Sequence, residues 1–188
     1  GTTGAGSGLT DTITLDLTYR GGDGSASNPY EISNWRHLNN TRENLGANFE
    51  LINDLNTSTA GYSSIASSSA NGGKGFKPIG QSTPFYGTFD GNNHTISDLY
   101  IDRPSGFRVG LFRRIGYFVG SATIRDVGLV DINITGQSVV GGLAAQTYGA
   151  NSLVTRSYTT GEVTSTDSGA NTGGLVGIND GSAKGSPN

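Results

Sequence analysis

Cysteine is absent from the 188-residue chain, which excludes disulfides and thiolate metal sites and removes the usual clue to redox compartment. Methionine is absent too, even from position 1, as expected of a processed or excised chain in which a signal peptide would not be seen. Long apolar runs are missing: nothing approaches the roughly 18 apolar residues of a membrane-spanning helix, because Arg113, Arg114, Arg125 and Asp126 interrupt the longest stretches. No membrane insertion is expected. Positive charge is in deficit, since 12 Lys and Arg against 15 Asp and Glu leave a net charge of −3. That balance argues against nucleic acid and anionic membrane as partners.

Glycine, by contrast, is plentiful. Its 31 positions amount to about 16% of the chain against an average near 7%. They do not recur at every third residue as collagen requires, so they mark turns. A 33% hydrophobic share allows a modest core in one domain of ordinary size.

One phrase recurs behind these glycines. "VGLFRRIG" from Val109 returns as "VGGLAAQT" from Val140 and as "TGGLVGIN" from Thr172, with Leu111, Leu143 and Leu175 spaced 32 residues apart. A fixed period of this size is the signature of a repeat architecture. A second phrase accompanies it: "GTFDGNNHTISDLYIDR" aligns with "SATIRDVGLVDINITG" at a shift of 28, placing Ile96 on Ile124, Asp98 on Asp126, Leu99 on Val127 and Ile101 on Leu129. "LVTRSYTTGEVTS" follows more loosely, with Val154 near Ile124 and Val163 near Ile132 and Ile134.

Each unit of roughly 30 residues therefore holds about three short strands with inward Ile, Leu and Val at alternate positions, and no unit buries both faces alone. Stacking solves this, because each rung pairs its backbone with the rungs on either side. The expected fold is all-β, a parallel β-helix or β-solenoid of right-handed sense with a short N-terminal capping helix. The rival is an antiparallel sandwich, for which "DGNN" at Asp90 would be a local hairpin signal.

The expected organisation is one structural domain. Residues 1–10 are a flexible lead. Residues 11–84 hold a strand over 11–19, with Ile13, Leu15 and Leu17 alternating, then the capping helix and the first rungs. Residues 85–180 carry the repeats, and 181–188 form a linker-like exit that continues into further domains of a larger chain. The helix is read from Trp35, Leu38, Arg42 and Leu45 at helical spacing, after Ser33 or Asn34 as N-cap and before Gly46 as stop. "NFELINDLN" follows as a strand with Phe49, Leu51 and Leu55 inward. Residues 56–77 are rich in Ser, Ala and Gly and read as an inserted loop on a rigid scaffold.

These residues carry a family resemblance. "VGLF", "VGGLAAQTYG" and "TGGLVGIND" resemble the GLUG motif of large bacterial surface proteins, including haemagglutinin-like adhesins and the non-catalytic regions of IgA-cleaving peptidases. "NPYEISNWRHLNN", "NFELINDLN", "FKPIG" and "PFYGTFDGNNHTISDLYI" look like the segments that precede it, so the resemblance runs from about Asn28 to Asp180. It implies an extended β-helical surface domain and a structural role for His94. The chain departs from the pattern at Arg113 and Arg114, where small or apolar residues are usual, and at Ala145, where the pattern has glycine. Gly110, Gly142 and Gly174 read as turn or close-packing positions, each before an inward leucine.

Catalytic chemistry finds little support in the sequence. His37 and His94 read as surface or turn residues without metal spacing. Asp90, Asp98, Asp102, Asp126 and Asp131 recur, and a glycan-acting β-helix would pair acids on one face. The stacked pair would be Asp98 and Asp126, with Arg103, Arg125 or Arg156 to balance them. "NDLN" and "GGDGSASN" match no calcium-loop spacing, and there is no nucleophile elbow or phosphate loop. No cofactor is expected. Aromatic area for binding comes from Tyr62, Phe76, Tyr86, Tyr100, Tyr117, Phe118, Tyr148 and Tyr158, and Tyr62 and Phe76 on the insertion are the chosen binding residues. The functional expectation is a non-catalytic adhesive or spacer module of a large secreted or cell-surface bacterial protein, meeting host or matrix glycan or protein. The alternatives are an accessory region of a secreted peptidase and a glycan-acting β-helix enzyme.

Overall fold

The computed structural model describes residues 18–116, 120–149 and 152–180. The expected strand over residues 11–19, the aromatic residues Tyr117 and Phe118, and the exit at 181–188 lie wholly or mostly outside them.

The chain is mostly β, and its strands run parallel as it passes repeatedly through the same set of positions. The first passes are β1 (Tyr30–Ile32) and β2 (Asn48–Leu51). The next comprises β3 (Thr88–Asp90), β4 (Thr95–Ser97), β5 (Tyr100–Asp102), β6 (Arg108–Val109) and β7 (Phe112–Ile115). Another brings β8 (Thr123–Arg125), β9 (Gly128–Gly136), β10 (Val139–Gly141) and β11 (Ala144–Tyr148). The last described pass brings β12 (Leu153–Thr155), β13 (Tyr158–Ser165), β14 (Asn171–Gly173) and β15 (Val176–Asp180). Equivalent strands pair in four sheets, ordered β1-β2-β3-β8-β12, β14-β10-β6, β15-β11-β7 and β13-β9-β4, with β5 also on β9.

Register turns this order into a core. In the five-stranded sheet Tyr30, Phe49, Phe89, Ile124 and Val154 fall in one column, and Phe49, Phe89 and Ile124 are fully buried. Burial of each such side chain contributes roughly 1.5–3 kcal/mol. Phe112 packs on Phe85 and Phe89 at 5.0 and 5.5 Å between ring centroids. The 32-residue period appears directly as Phe112, Ala144 and Val176 in register.

The second alignment is corrected. Ile96 pairs with Leu129, and it is Phe89 that pairs with Ile124. "TISD" and "TIRD" look alike because each is an inward isoleucine followed by an aspartate in the left-handed region, φ 60° at Asp98 and 54° at Asp126. That conformation is one Asp tolerates better than most residues, so two different corners use the same local solution. Asp98 therefore stands beside Asp131: its amide donates to the Val130 carbonyl at 3.0 Å, and Asp131 is also left-handed, at φ 52°. Nor is "DGNN" a hairpin. Asp90 accepts from the Asn92 amide at 2.8 Å, and the bend delivers the chain from β3 to β4 in a different sheet.

The expected helix is present but short, α1 (Trp35–Asn40). Asn34 is its N-cap, accepting from the His37 amide at 2.9 Å. Thr41 closes it by donating its hydroxyl to the Leu38 carbonyl at 2.8 Å, and a single 3-10 turn follows over Thr41–Glu43, so Gly46 is not the stop. Trp35 and Leu38 of the helix are fully buried in the core. The segment before β1 lines the edge of the five-stranded sheet, with Arg20 and Gly21 exchanging backbone hydrogen bonds with Glu31 and Tyr19 stacked 4.2 Å from Tyr30.

Candidate functional site

The insertion is packed structure. It holds α2 (Tyr62–Ile65) and a turn at Ala70–Gly73, and its own Ala66, Ala70 and Phe76 are buried. The choice of Phe76 as a binding residue is corrected accordingly, since its ring is not at the surface. Phe76 is fully buried with its ring 6.4 Å from that of Trp35. Tyr62 is half-buried beside Trp35 at 5.6 Å, donates its hydroxyl to the Asp98 carbonyl at 3.1 Å, and has its phenol pKa pushed up by burial and then by Asp98. Both serve to roof Trp35, whose indole N–H donates to the Asn56 carbonyl at 2.9 Å.

The far end of the insertion is pinned by guanidinium groups. Arg103 donates to the carbonyls of Lys74 at 2.7 Å and Phe76 at 3.3 Å. Arg42 donates to the Lys77 carbonyl at 2.8 Å and lies 5.6 Å from the Phe76 ring centroid. Arg113 holds the Gln81 carbonyl, and Arg114 that of Ser82 at 3.0 Å. This stretch has only isolated bridges to its neighbours at Gly75, Ile79 and Phe85, so arginines supply donors that a regular strand ladder would otherwise provide.

Pinning brings cations together. A cavity of about 380 Å³ opens between the insertion and the segment after β5, and Lys74, Lys77, Arg103, Arg108 and Arg113 line it with no acidic residue among the lining groups. Smaller hollows adjoin it on either side, bringing Asp102 and Glu43 to the margins. Among the described residues none of the five cations forms a salt bridge with a carboxylate. Burial lowers the Arg113 pKa first, and the nearby Arg114 and Arg108 lower it further. Burial likewise lowers that of Arg103, against the opposing pull of Asp102. Phe107, 51% exposed, stands at this cavity with the Arg108 guanidinium 4.9 Å from its ring centroid. Reading net charge alone missed this cluster. The available signal was "FRRI", where Arg113 and Arg114 replace the small or apolar residues of the repeat phrase.

The expected pairing of Asp98 with Asp126 does not form. Asp98 and Asp126 are not neighbours in register, and Asp126 is held by Arg156 at 2.5 and 2.7 Å, with Arg125 at 3.8 Å. Arg125 reaches back to Asp90 at 2.7 Å, so four residues alternate in sign along the sheet margin. His37 proves buried, its ring nitrogens within 3.3 Å of Ser33 and 3.2 Å of Asn34. His94 meets Asp54 at 3.2 Å. Among the described residues no group of three or more His, Cys, Asp or Glu side chains is placed to hold a metal, and no helix is long and apolar enough to cross a membrane.

No protein-family model matches the chain, so the GLUG resemblance rests on its residues. The chain is 34% identical over 154 residues to "Halomucin" of Haloquadratum walsbyi, covering 79% of this chain and 2% of that protein. It is 32% identical over 137 residues to "Putative Gly-rich membrane protein" of Evansella cellulosilytica, covering 70% of this chain and 15% of that protein. The chain thus corresponds to a small part of two much longer proteins. A solved structure described as "a putative immunoglobulin A1 protease from Bacteroides ovatus" aligns over 88% of this chain and 66% of that one, at 17% identity and a TM-score of 0.45.

Proposed function

We propose that this chain is a section of β-solenoid acting as a non-catalytic adhesive or spacer module within a large secreted or cell-surface protein. The observation that carries the reading is the unbroken parallel pairing β1-β2-β3-β8-β12, with other strands of the same passes pairing in the same sense. Stacked passes about 4.8 Å apart give a stiff body whose length grows with the number of passes. The two long relatives fit a module repeated or embedded in an extended chain. Its outer face would meet host or matrix glycan or protein.

The test is to incubate the purified chain with peptide and polysaccharide substrates and, in parallel, with an array of matrix proteins and glycans. Capture without turnover supports an adhesive module, and neither capture nor turnover supports a spacer. Turnover that survives repurification overturns the reading.

A further inference from the structure

We propose that the basic cavity between the insertion and the segment leading to β7 is a binding site for an acidic polysaccharide, a chain of uronate or sulfated sugars. The proposal rests on the reading of the chain as a surface module and names the ligand chemistry of its contact site.

Charge is the first argument. Five of the chain's twelve basic residues line one cavity of about 380 Å³, a volume within the usual range of ligand sites, about 300–1,000 Å³. Like charges gathered with no carboxylate among the lining groups repel one another, and a polyanion in the cavity removes that repulsion. The cations are also preorganised. Arg103 and Arg113 are fixed by backbone carbonyls, and Arg108 by the side chain of Gln146, so little side-chain freedom is lost on binding. Lys74 and Lys77 remain exposed at the cavity and supply mobile point charges suited to sulfate or carboxylate.

Shape is the second. Phe107 offers a flat apolar surface beside the cations, with Arg108 against the ring, and an aromatic ring of this kind stacks on the C–H face of a pyranose while the charges take the acidic substituents. Nucleic acid fits less well. Single strands are bound by a series of aromatic platforms along a basic track, whereas one aromatic residue stands here.

The test is titration calorimetry of the full chain with a sulfated hexasaccharide, a uronate hexasaccharide, a neutral hexasaccharide and an oligothymidylate. Either acidic sugar should bind, with affinity falling about tenfold or more between roughly 50 and 300 mM salt, while the neutral sugar gives no heat. Lys74→Ala with Lys77→Ala should weaken binding about tenfold without changing thermal unfolding, and Phe107→Ala should weaken sugar binding to a similar degree. Arg125→Ala with Arg156→Ala, outside the cavity, should leave it unchanged. Equal binding of the neutral sugar, wild-type affinity in the lysine variant, or tighter binding of oligothymidylate overturns the proposal. Absence of binding by both acidic sugars also overturns it, and leaves the non-catalytic module reading to its own turnover and array test.

Discussion

Arg103 donates from Nη1 to the carbonyl of Lys74 at 2.7 Å across 29 positions of sequence. With the bond from Nη2 to Phe76 it joins the end of the insertion to the chain after β5. Arg103→Ala removes three charge-assisted bonds, to the carbonyls of Lys74, Asp102 and Phe76, of which that of Lys74 keeps the Asp102 amide as a donor, at a cost of about 1–3 kcal/mol. The midpoint of urea unfolding should fall, and hydrogen exchange should rise first at Gly75 and Phe76, whose amides bond to the Ala70 and Tyr100 carbonyls.

The insertion roofs the core, so replacing residues 56–77 with a short glycine-serine linker should do more than remove a surface. Trp35 loses its partners Tyr62 and Phe76 and the Asn56 carbonyl. The expected outcome is loss of cooperative unfolding in the first passes, seen as a broadened calorimetric transition. Phe76→Ala alone should cost about 3–5 kcal/mol, against about 0.5 kcal/mol or less for Leu153→Ala, whose side chain is half exposed.

Two glycines of the repeated phrase should respond differently to alanine. A Cβ at Gly142 would lie 2.3 Å from the Gly174 carbonyl oxygen, whereas one at Gly174 would lie 3.6 Å from its nearest neighbour, Thr159 Oγ1. Gly142→Ala must push two passes apart and should cost about 1–3 kcal/mol. Gly174→Ala should fall within about 0.5 kcal/mol of the parent. Thermal unfolding of both variants under one buffer checks the contrast.

Acid should release the charge ladder at the sheet margin. The hydrogen bonds from Arg156, followed by the charges of Arg156 and Arg125, hold the Asp126 carboxyl below its ordinary 3.8. A carboxyl depressed in the folded state contributes stability that is present above its unfolded pKa and lost as pH falls through its folded pKa. The urea midpoint should therefore decline below about pH 4, and Asp126→Asn or Arg156→Ala should flatten that decline while changing little in high salt. An identical acid profile in both variants would show that the pair carries no linked stability.

Much of this architecture was legible beforehand because it follows from local rules. The 32-residue spacing of Leu111, Leu143 and Leu175 is the spacing at which β7, β11 and β15 stand in register. Phe49, Leu51 and Leu55 point inward as their alternation requires. The error at "TISD" and "TIRD" came from the same source: a short strand followed by a left-handed aspartate is a local solution that two different corners share, so text similarity could not tell which corner stacks on which. Phe76 was misplaced because a Ser, Ala and Gly-rich stretch gives no sign that it folds back over a tryptophan.

The sequence by itself determined the repeat, the parallel stacking it demands and the inward side chains, since backbone pairing and apolar burial act through periodic positions. Only the tertiary structure decided the basic cavity. Lys74 and Lys77 belong to the insertion, and Arg103, Arg108 and Arg113 to the next pass, so their charges are diluted in a chain of net charge −3. Stacking one pass on the next, with arginines bonded to carbonyls of the neighbouring pass, places all five around one space, and Coulomb interactions depend on that distance in space and not on separation along the chain.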